Sequence, residues 1–235
     1  MPAIIVKNLV KKYGNTLALN NISFSVKRGE IFGLLGPNGA GKTTVIDILA
    51  DVLTKDSGQV RVLGKYPYEV KHEMNIVSSY AWLSGILTVY ENLKIYAKIY
   101  GVKGFNEKIH DLLKLFEITE LKNKQYQTLS AGQQIRVNLC KALINEPKVL
   151  LLDEFTMNLD PYIANKTRSI IKRLKKDMAI LLTSHNMHEV EDLCDRLAFL
   201  HRGRIIWQGN ISEIKNNYKN KSLEEIFIKI AGDWK

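Results

Sequence analysis

The spacing of apolar and polar residues predicts strands and a helix in the first third of the chain. Residues 21–26 alternate between apolar and polar side chains, which predicts a strand with one buried face. A turn at 28–29 leads into the near-continuous apolar run 30–36, which is typical of a strand buried on both faces. The spacing over 43–53 then predicts a helix, and residues 59–63 alternate again as a further strand.

The middle of the chain has the period of amphipathic helices. Segments 88–101 and 106–118 both place apolar residues along one helical face. In the second segment these residues are spaced at i, i+3, i+4 and i+7, and they are Ile109, Leu112, Leu113 and Phe116. We therefore expect a small helical subdomain at about 86–140.

The last third returns to alternating strands and helices. Two apolar runs, 149–154 and 179–185, are separated by a helical pattern near 161–176, which indicates a parallel sheet with right-handed crossovers. Residues 198–209 predict a hairpin that turns at its Arg-Gly pair. We expect a terminal helix at about 221–231 to pack its apolar stripe on the chain's own surface, and the stripe consists of Leu223, Ile226, Phe227 and Ile230.

The composition is that of an ordinary folded domain with a basic charge balance. The chain has 235 residues, of which 46% are hydrophobic and 25% charged, enough for one large domain. The net charge of +10 is compatible with a nucleic acid, an anionic membrane face or a polyphosphate ligand, and it does not choose among them. No apolar stretch reaches the ~18–20 residues that span a bilayer, and the N-terminal apolar run is too short for a signal sequence. Cys140 and Cys194 lie in helical apolar patterns, so we interpret them as buried core thiols in a reducing compartment.

A glycine-rich loop between a strand and a helix predicts a phosphate site. Residues 36–43 read GPNGAGKT and fit the pattern G-x-x-x-x-G-K-[ST]. Glycines let the backbone wrap so that its N–H groups point at phosphate oxygens, and the helix N-terminus adds partial positive charge. Lys42 can then reach the outer phosphates of a nucleotide, and the Thr43 hydroxyl can ligate Mg²⁺. The other predicted phosphate-binding positions are Gly36, Asn38, Gly39, Gly41 and Thr44.

Two later strand ends carry chemistry that suits the same nucleotide. Asp153 and Glu154 follow an apolar run, at the sheet edge where we expect the phosphate loop to open. Asp153 is placed to hold Mg²⁺, directly or through water, and Glu154 is placed to polarise an attacking water as general base. His185 ends the next strand in sequence order, and we expect it at the same sheet edge, near the γ-phosphate.

The hexamer LSAGQQ at 129–134 is a second candidate for binding an anion. It begins a helix with small, hydroxyl- and amide-bearing residues, which do not suit core packing. On a helical subdomain that projects from the sheet, the segment does not easily reach the chain's own nucleotide. Two copies arranged head to tail would instead hold two ATP molecules, each between one chain's glycine loop and the other's LSAGQ segment.

In their order and spacing the motifs GPNGAGKTT, LSAGQQ, VLLLDE, NLD and TSH resemble those of the ATP-binding subunits of ABC transporters, over essentially the whole chain. The resemblance implies an α/β fold of the P-loop NTPase (RecA-like) type. This fold has a parallel-sheet core, expected at 1–85 and 141–215, an N-terminal antiparallel β region and an inserted α-helical subdomain.

The resemblance also implies roles for individual residues. Ser130, Gly132 and Gln133 would clamp the γ-phosphate bound by the partner subunit. Tyr13 matches the aromatic residue that stacks on adenine, although packing at a strand edge is the other interpretation of this tyrosine. Asp160, in the NLD motif, would act across the dimer.

The chain departs from the family pattern at three places. Ala131 stands where glycine is usual in the signature, and Phe155 replaces the proline that commonly follows the two carboxylates. The glutamine that family members usually carry between the sheet and the helical subdomain is absent, and Ser78 or Ser79 falls nearest to its position. A serine hydroxyl is shorter than glutamine and could act on Mg²⁺ only through water.

The implied function is an ATPase subunit that uses ATP and Mg²⁺ to power transport through a separate transmembrane permease subunit. The C-terminal segment resembles the exporter branch. The second ATP-binding subunit of the dimer is either an identical chain (a homodimer) or a paralogue, and no nucleic acid is expected as a partner. We expect a peripheral protein on the cytoplasmic face of the cell membrane, with Tyr80 and Trp82 as candidates for the permease groove or for core packing.

Two other functions fit the phosphate loop less well. ABC-type ATPases that act on ribosomes generally fuse two such domains in one chain. Those that act on DNA insert a long coiled coil between the glycine loop and the signature. Neither arrangement fits 235 residues. A small-molecule kinase would leave LSAGQQ unexplained. The transported substrate is not encoded here, because in this architecture the permease usually selects it.

Overall fold

The computed structural model describes residues 1–78, 83–156, 159–219 and 221–233, which form two compact units. The first unit combines Met1–Lys71 with Lys175–Lys235, and the second comprises His72–Leu174. The predicted domain boundaries, including 86 and 140 for the helical subdomain, stay predictions.

Three strands of the first unit form an antiparallel sheet. They are β1 (Pro2–Tyr13), β2 (Thr16–Lys27) and β4 (Ser57–Val62), in the order β2-β1-β4. The alternation predicted for residues 21–26 is confirmed, because the apolar members of that segment are buried and the polar ones are not. This sheet is the predicted N-terminal antiparallel β region.

Four further strands of the first unit lie side by side in the order β7-β3-β8-β9. They are β3 (Ile31–Leu35), β7 (Ala179–Ser184), β8 (Arg196–His201) and β9 (Arg204–Asn210). The strands β7, β3 and β8 are parallel, and β9 runs antiparallel to β8. All residues of β3 and β7 are buried, as expected for unbroken apolar runs.

The β8–β9 hairpin turns at the predicted Arg-Gly pair. Arg202 has φ of 46° and Gly203 has φ of 74°. Positive φ at both central residues of a two-residue loop is the requirement of a type I′ turn, whose twist matches that of the flanking strands.

The helices of the first unit are α1 (Lys42–Leu49), α6 (Met187–Leu193), α7 (Ile211–Asn217) and α8 (Leu223–Asp233). The prediction that the first helix extends to residue 53 is wrong. Asp51 adopts φ of 57°, and the Val52 N–H donates to the Asp47 carbonyl at 2.9 Å. This closure is a Schellman cap, which ends the helix although the apolar spacing continues.

The terminal helix α8 packs on the chain's own surface, as predicted. Leu223 and Ile226 are fully buried, and the ring centroid of Phe227 lies 5.3 Å from that of Phe199 in β8. Leu223 and Ile226 are therefore part of the core of the first unit, and Phe227 packs against β8 at its edge.

In the described residues of the second unit there are two parallel strands and four α-helices. The strands are β5 (Met74–Ser78) and β6 (Val149–Asp153). The helices are α2 (Val89–Ile99), α3 (Phe105–Leu115), α4 (Ala131–Leu143) and α5 (Pro161–Leu174). The predicted apolar face of α3 is buried, but the helix ends at Leu115, before the predicted residue 118.

A buried amide ties the elements of the second unit together. The Asn75 side chain in β5 donates to the Ala142 carbonyl at 2.7 Å and accepts from the Tyr100 hydroxyl at 2.9 Å. Asn75 is 7% exposed, so these bonds satisfy a polar group that would otherwise be costly to bury.

The two cysteines have different surroundings. Cys140 is fully buried in α4, and this burial raises the pKa of its thiol, which confirms its interpretation as a core residue. Cys194 follows directly after α6 and is half-buried, and burial of its thiol likewise raises the pKa. In the part of the chain that the structure describes, no helix combines the length and the apolar character that crossing a membrane requires.

Candidate active site

The loop between β3 and α1 can be built only with glycine at two positions. A Cβ atom on Gly36 would lie 2.2 Å from the carbonyl oxygen of Leu200. Gly41 has φ of 110°, and its Cβ would lie 2.7 Å from the carbonyl oxygen of Ala18. The loop backbone therefore packs directly on the neighbouring backbone and leaves its other side, with Asn38 and Gly39, exposed.

The β8–β9 turn braces this loop from the side. The Gly203 N–H donates to the Ala40 carbonyl at 3.1 Å, and the Gly203 carbonyl accepts from the Asn20 N–H at 2.7 Å. A Cβ atom on Gly203 would lie 2.6 Å from the Ala18 carbonyl oxygen, so this contact also requires glycine. The hairpin was predicted from the sequence, but its role as a support was not, because the partners lie far apart along the chain.

Lys42 lies within the loop rather than in solvent. Its Nζ donates to the carbonyl oxygens of Gly36 at 2.8 Å and Pro37 at 3.1 Å, and the residue is 5% exposed. Thr43 is exposed and Thr44 is half-buried in the first turn of α1. The loop thus closes around the ammonium group at the start of α1, and a glycine loop before a helix N-terminus suits the oxygens of a polyphosphate.

Tyr13 and His185 are the other predicted site residues of the first unit. Tyr13 ends β1 and is 49% exposed, with the Lys11 Nζ 5.5 Å from its ring centroid. In the β3–β7 pair Leu35 lies opposite Ser184, so His185 follows at the level of Gly36. The His185 side chain is exposed. The structure therefore places His185 at the level of the beginning of the glycine loop, and its contact with a γ-phosphate stays a prediction.

The two carboxylates of the second unit follow one another at the end of β6. Asp153 is 5% exposed and lies opposite Ser78 in the parallel β5–β6 pair. Residues paired in this way on neighbouring strands are about 4.8 Å apart and project to the same face. Ser78 is therefore beside Asp153, and it remains a candidate for the missing glutamine, whereas Ser79 lies outside the described residues.

Glu154 has an unusual backbone conformation. Its φ is 49°, in the left-handed region that residues with a long side chain adopt uncommonly. Phe155, next in the chain, is fully buried in place of the usual proline. Because a proline would drive the residue before it toward extended conformations, Phe155 is compatible with the left-handed conformation of Glu154.

The LSAGQQ segment is the N-terminal cap of α4. Ser130 Oγ accepts from the Gln133 N–H at 3.4 Å, and Gln133 Oε1 accepts from the Ser130 N–H at 3.0 Å, which is a capping box. A Cβ atom on Gly132 would lie 3.3 Å from Leu159 Cδ2, so the segment lies against the NLD motif of the same unit. Ala131 is exposed, and a methyl group is accommodated there.

Asp160 caps the next helix. Its Oδ1 accepts from the N–H groups of Tyr162 and Ile163, both at 3.1 Å, and Pro161 occupies the first helical position of α5. This local role was missed in the sequence analysis, although an aspartate before a proline is a helix-start signal. Asn158 of the NLD motif lies outside the described residues, as do the groove candidates Tyr80 and Trp82.

The predicted metal ligands, Thr43 and Asp153, suit an Mg²⁺ ion that takes its other ligands from phosphate and water. Among the described residues, His, Cys, Asp and Glu side chains form no cluster of three or more that could hold a metal. Mg²⁺ prefers oxygen ligands, and in nucleotide sites one or two protein oxygens suffice because phosphates and waters supply the others. The Thr43 hydroxyl and the Asp153 carboxylate are donors of this kind.

Comparison with known proteins identifies the family of this chain. The chain belongs to the ABC transporter family, whose model matches residues 19–157. It is 36% identical over 229 residues to the linearmycin resistance ATP-binding protein LnrL of Bacillus subtilis (strain 168), covering 94% of this chain and 74% of that protein. It is 38% identical over 215 residues to the Nod factor export ATP-binding protein I of Burkholderia lata, covering 86% of this chain and 69% of that protein.

A solved structure described as the ATP binding subunit of an ABC transporter superposes on this chain with a TM-score of 0.90. It is 26% identical in sequence, and the match covers 97% of this chain and 99% of that one. The chain is accordingly an ATP-binding subunit of the ABC transporter type and an ATPase with the P-loop NTPase fold. The family, the fold class and the ATPase activity predicted from the sequence are confirmed.

Proposed function

We propose that the chain powers export through a separate transmembrane permease by binding ATP, closing as a head-to-tail dimer and reopening after hydrolysis. The observation that carries the proposal is the presence of two helix starts suited to phosphate. One is α1, with Lys42 in a glycine cradle, and the other is α4, with Ser130 and Gln133 at its cap. A single nucleotide needs only the first, so the second serves the nucleotide of the partner subunit.

In the proposed reaction Lys42 and the loop N–H groups bind the β- and γ-phosphates of ATP. Thr43 and Asp153 would hold Mg²⁺, which would neutralise charge that develops on the phosphate oxygens. Glu154 accepts a proton from the attacking water, and His185 contacts the γ-phosphate. The buried position of Asp153 and the level of His185 beside Gly36 support these assignments.

The partner subunit completes each site. Its copies of Ser130, Gly132 and Gln133 donate to the γ-phosphate, and Asp160 acts across the dimer while it caps α5. Tyr13 stacks on adenine, which its half-exposed ring allows. Closing the dimer would exclude water and present preorganised donors to the phosphate that is being transferred.

Export is supported by the names of two relatives, and the permease and the location at the cytoplasmic face of the membrane are proposed from membership of the ABC transporter family. One relative is named for resistance to linearmycin and the other for Nod factor export. We propose a peripheral position on a membrane-embedded partner, with an identical chain or a paralogue as the second ATP-binding subunit.

A trapped complex tests the proposal. The full chain carrying Glu154→Gln is tagged and expressed in its native cell, the membranes are solubilised in detergent with ATP and Mg²⁺, and co-purifying proteins are identified by mass spectrometry. A multi-spanning membrane protein in near-equal amount supports the proposal, provided that the chain carrying both Lys42→Ala and Glu154→Gln captures less of it. Ribosomal proteins or DNA without a membrane partner would contradict the transport function and favour the alternative class of ABC ATPase.

A further inference from the structure

The strand end that carries His185 is held by a buried hydrogen bond. The Ser184 hydroxyl donates from Oγ to Glu189 Oε2 at 2.6 Å. Ser184 is 2% exposed and Glu189 is 1% exposed. A distance of this length lies within the normal range for a hydrogen bond between a hydroxyl and a carboxyl oxygen.

The same two residues organise the turn on the other side of His185. The Asn186 N–H donates to Ser184 Oγ at 3.0 Å, and Asn186 Oδ1 accepts from the Glu189 N–H at 3.2 Å. The residues before and after His185 are therefore both bonded into one short network, and His185 itself is exposed.

The helix that carries Glu189 is fixed against the strand that leads to the phosphate loop. A Cβ atom on Gly33 in β3 would lie 2.9 Å from Val190 Cγ1 and 2.9 Å from Cys194 Sγ. This close approach lets α6 pack directly on β3, so Glu189 is held at a set distance from the strand that ends at Leu35. The network thus links the position of His185 to the strand that bears the glycine loop.

We infer that Glu189 is a positioning residue for ATP hydrolysis, which acts through Ser184 to hold His185 beside the phosphate loop. The inference rests on the proposed contact between His185 and the γ-phosphate. A carboxyl group that is fully buried is costly unless it is hydrogen-bonded. The Glu189 carboxyl is bonded to Ser184, the residue that precedes His185, so the bond that satisfies the buried carboxyl also fixes the backbone next to His185.

Ser184→Ala removes the hydroxyl with the smallest change in volume. In the full chain we expect kcat for ATP hydrolysis to fall roughly ten- to a hundred-fold, since small misplacement of a reacting group has effects of this size. KM for ATP should change little, because the glycine loop and Lys42 are unaltered. Glu189→Gln keeps the volume and an acceptor oxygen for Ser184, so it should retain more activity than Ser184→Ala and provides a second folded variant.

Another serine–glutamate pair of the same unit provides a matched control. The Ser222 hydroxyl donates to Glu225 Oε2 at 3.1 Å in an exposed cap of α8. Ser222→Ala deletes the same chemical group and should leave kcat at the wild-type value.

A double-mutant comparison separates positioning from a general loss of structure. In a His185→Ala background, Ser184→Ala should cause no further loss of kcat, because the group that it positions is gone. An equal fold-loss in both backgrounds, or wild-type kcat in folded Ser184→Ala protein, would overturn the inference and leave the proposed role of His185 intact. Wild-type kcat in His185→Ala itself would instead overturn that proposed role.

Discussion

The carbonyl oxygen of Leu200 lies 2.2 Å from the point where a Cβ atom would stand on Gly36. This contact joins the end of strand β8 to the first residue of the phosphate loop, and it explains why the loop begins with glycine. No L-amino acid with a side chain fits unless the backbone of one segment moves.

Gly36→Ala is therefore expected to destabilise the chain by about 1–3 kcal/mol, as overpacking does elsewhere, and to abolish tight ATP binding. Urea unfolding and the titration of a fluorescent ATP analogue measure the two effects. Gly232→Ala is the matched control, because no heavy atom lies within 4 Å of its Cβ position in α8. If Gly36→Ala protein unfolds and binds ATP like the control, the close packing of the loop is not needed for binding.

Ser130→Ala should separate the two roles of the signature serine when compared with Thr88→Ala. Ser130 and Thr88 both form capping boxes, at α4 and α2, so each substitution is expected to cost about 1 kcal/mol of stability. Only Ser130→Ala should also lower ATP hydrolysis, since Thr88 has no proposed contact with nucleotide. Equal hydrolysis by the two variants would show that Ser130 is a helix cap and nothing more.

Asp160 caps α5 in the structure and has a proposed role across the dimer. Serine can take over the capping but not the proposed role. Asp160→Ala should lower the free energy of unfolding by about 1 kcal/mol, and Asp160→Ser should restore most of it because serine is also a good N-cap. ATP hydrolysis should stay low in both variants. Recovery of hydrolysis in parallel with stability in Asp160→Ser would mean that capping accounts for the whole effect.

The free energy of unfolding should decrease in acid, in part because the Glu91 carboxylate becomes protonated. The Thr88 backbone N–H and hydroxyl both donate to Glu91 Oε2 at 2.8 Å, and these bonds lower the pKa of the carboxyl group from its usual 4.5. A lowered pKa in the folded state stabilises the fold above the usual pKa and loses this contribution as pH falls through the folded value. Glu91→Gln should thus melt below the wild type at pH 7, and the two melting temperatures should converge in acid. A difference that persists at low pH would contradict this linkage.

The buried strands, and the positions of the loop and the carboxylates at their ends, could be predicted because their signals are local. An unbroken apolar run such as β3, β6 or β7 has few alternatives to a buried strand, and the loop and carboxylates follow directly in sequence. The ends of α1 and α3 could not be predicted in the same way. Both helices end in Schellman caps whose left-handed residues are Asp51 and Glu117, whereas glycine is the residue that signals such a cap.

The contacts that support the loop could not be predicted from the sequence either. Gly36 with Leu200, and Ala40 with Gly203, meet only because β3 and β8 pair across more than half of the chain. No local pattern identifies such partners, and a glycine in a turn gives no indication of what it packs on. The same holds for Glu189, whose spacing in α6 is that of any helical residue and whose burial appears only in the fold.

The central claim, that ATP closes a dimer and hydrolysis reopens it, is tested most directly by the mass of Glu154→Gln protein in solution. General-base removal should slow hydrolysis by roughly 10²–10⁴-fold, so ATP remains bound. Size-exclusion chromatography with light scattering should then show a dimer with ATP and Mg²⁺ and a monomer without them, and Lys42→Ala protein should stay monomeric in both. A Glu154→Gln chain that binds ATP and remains monomeric, or that hydrolyses ATP at the wild-type rate, would contradict the account.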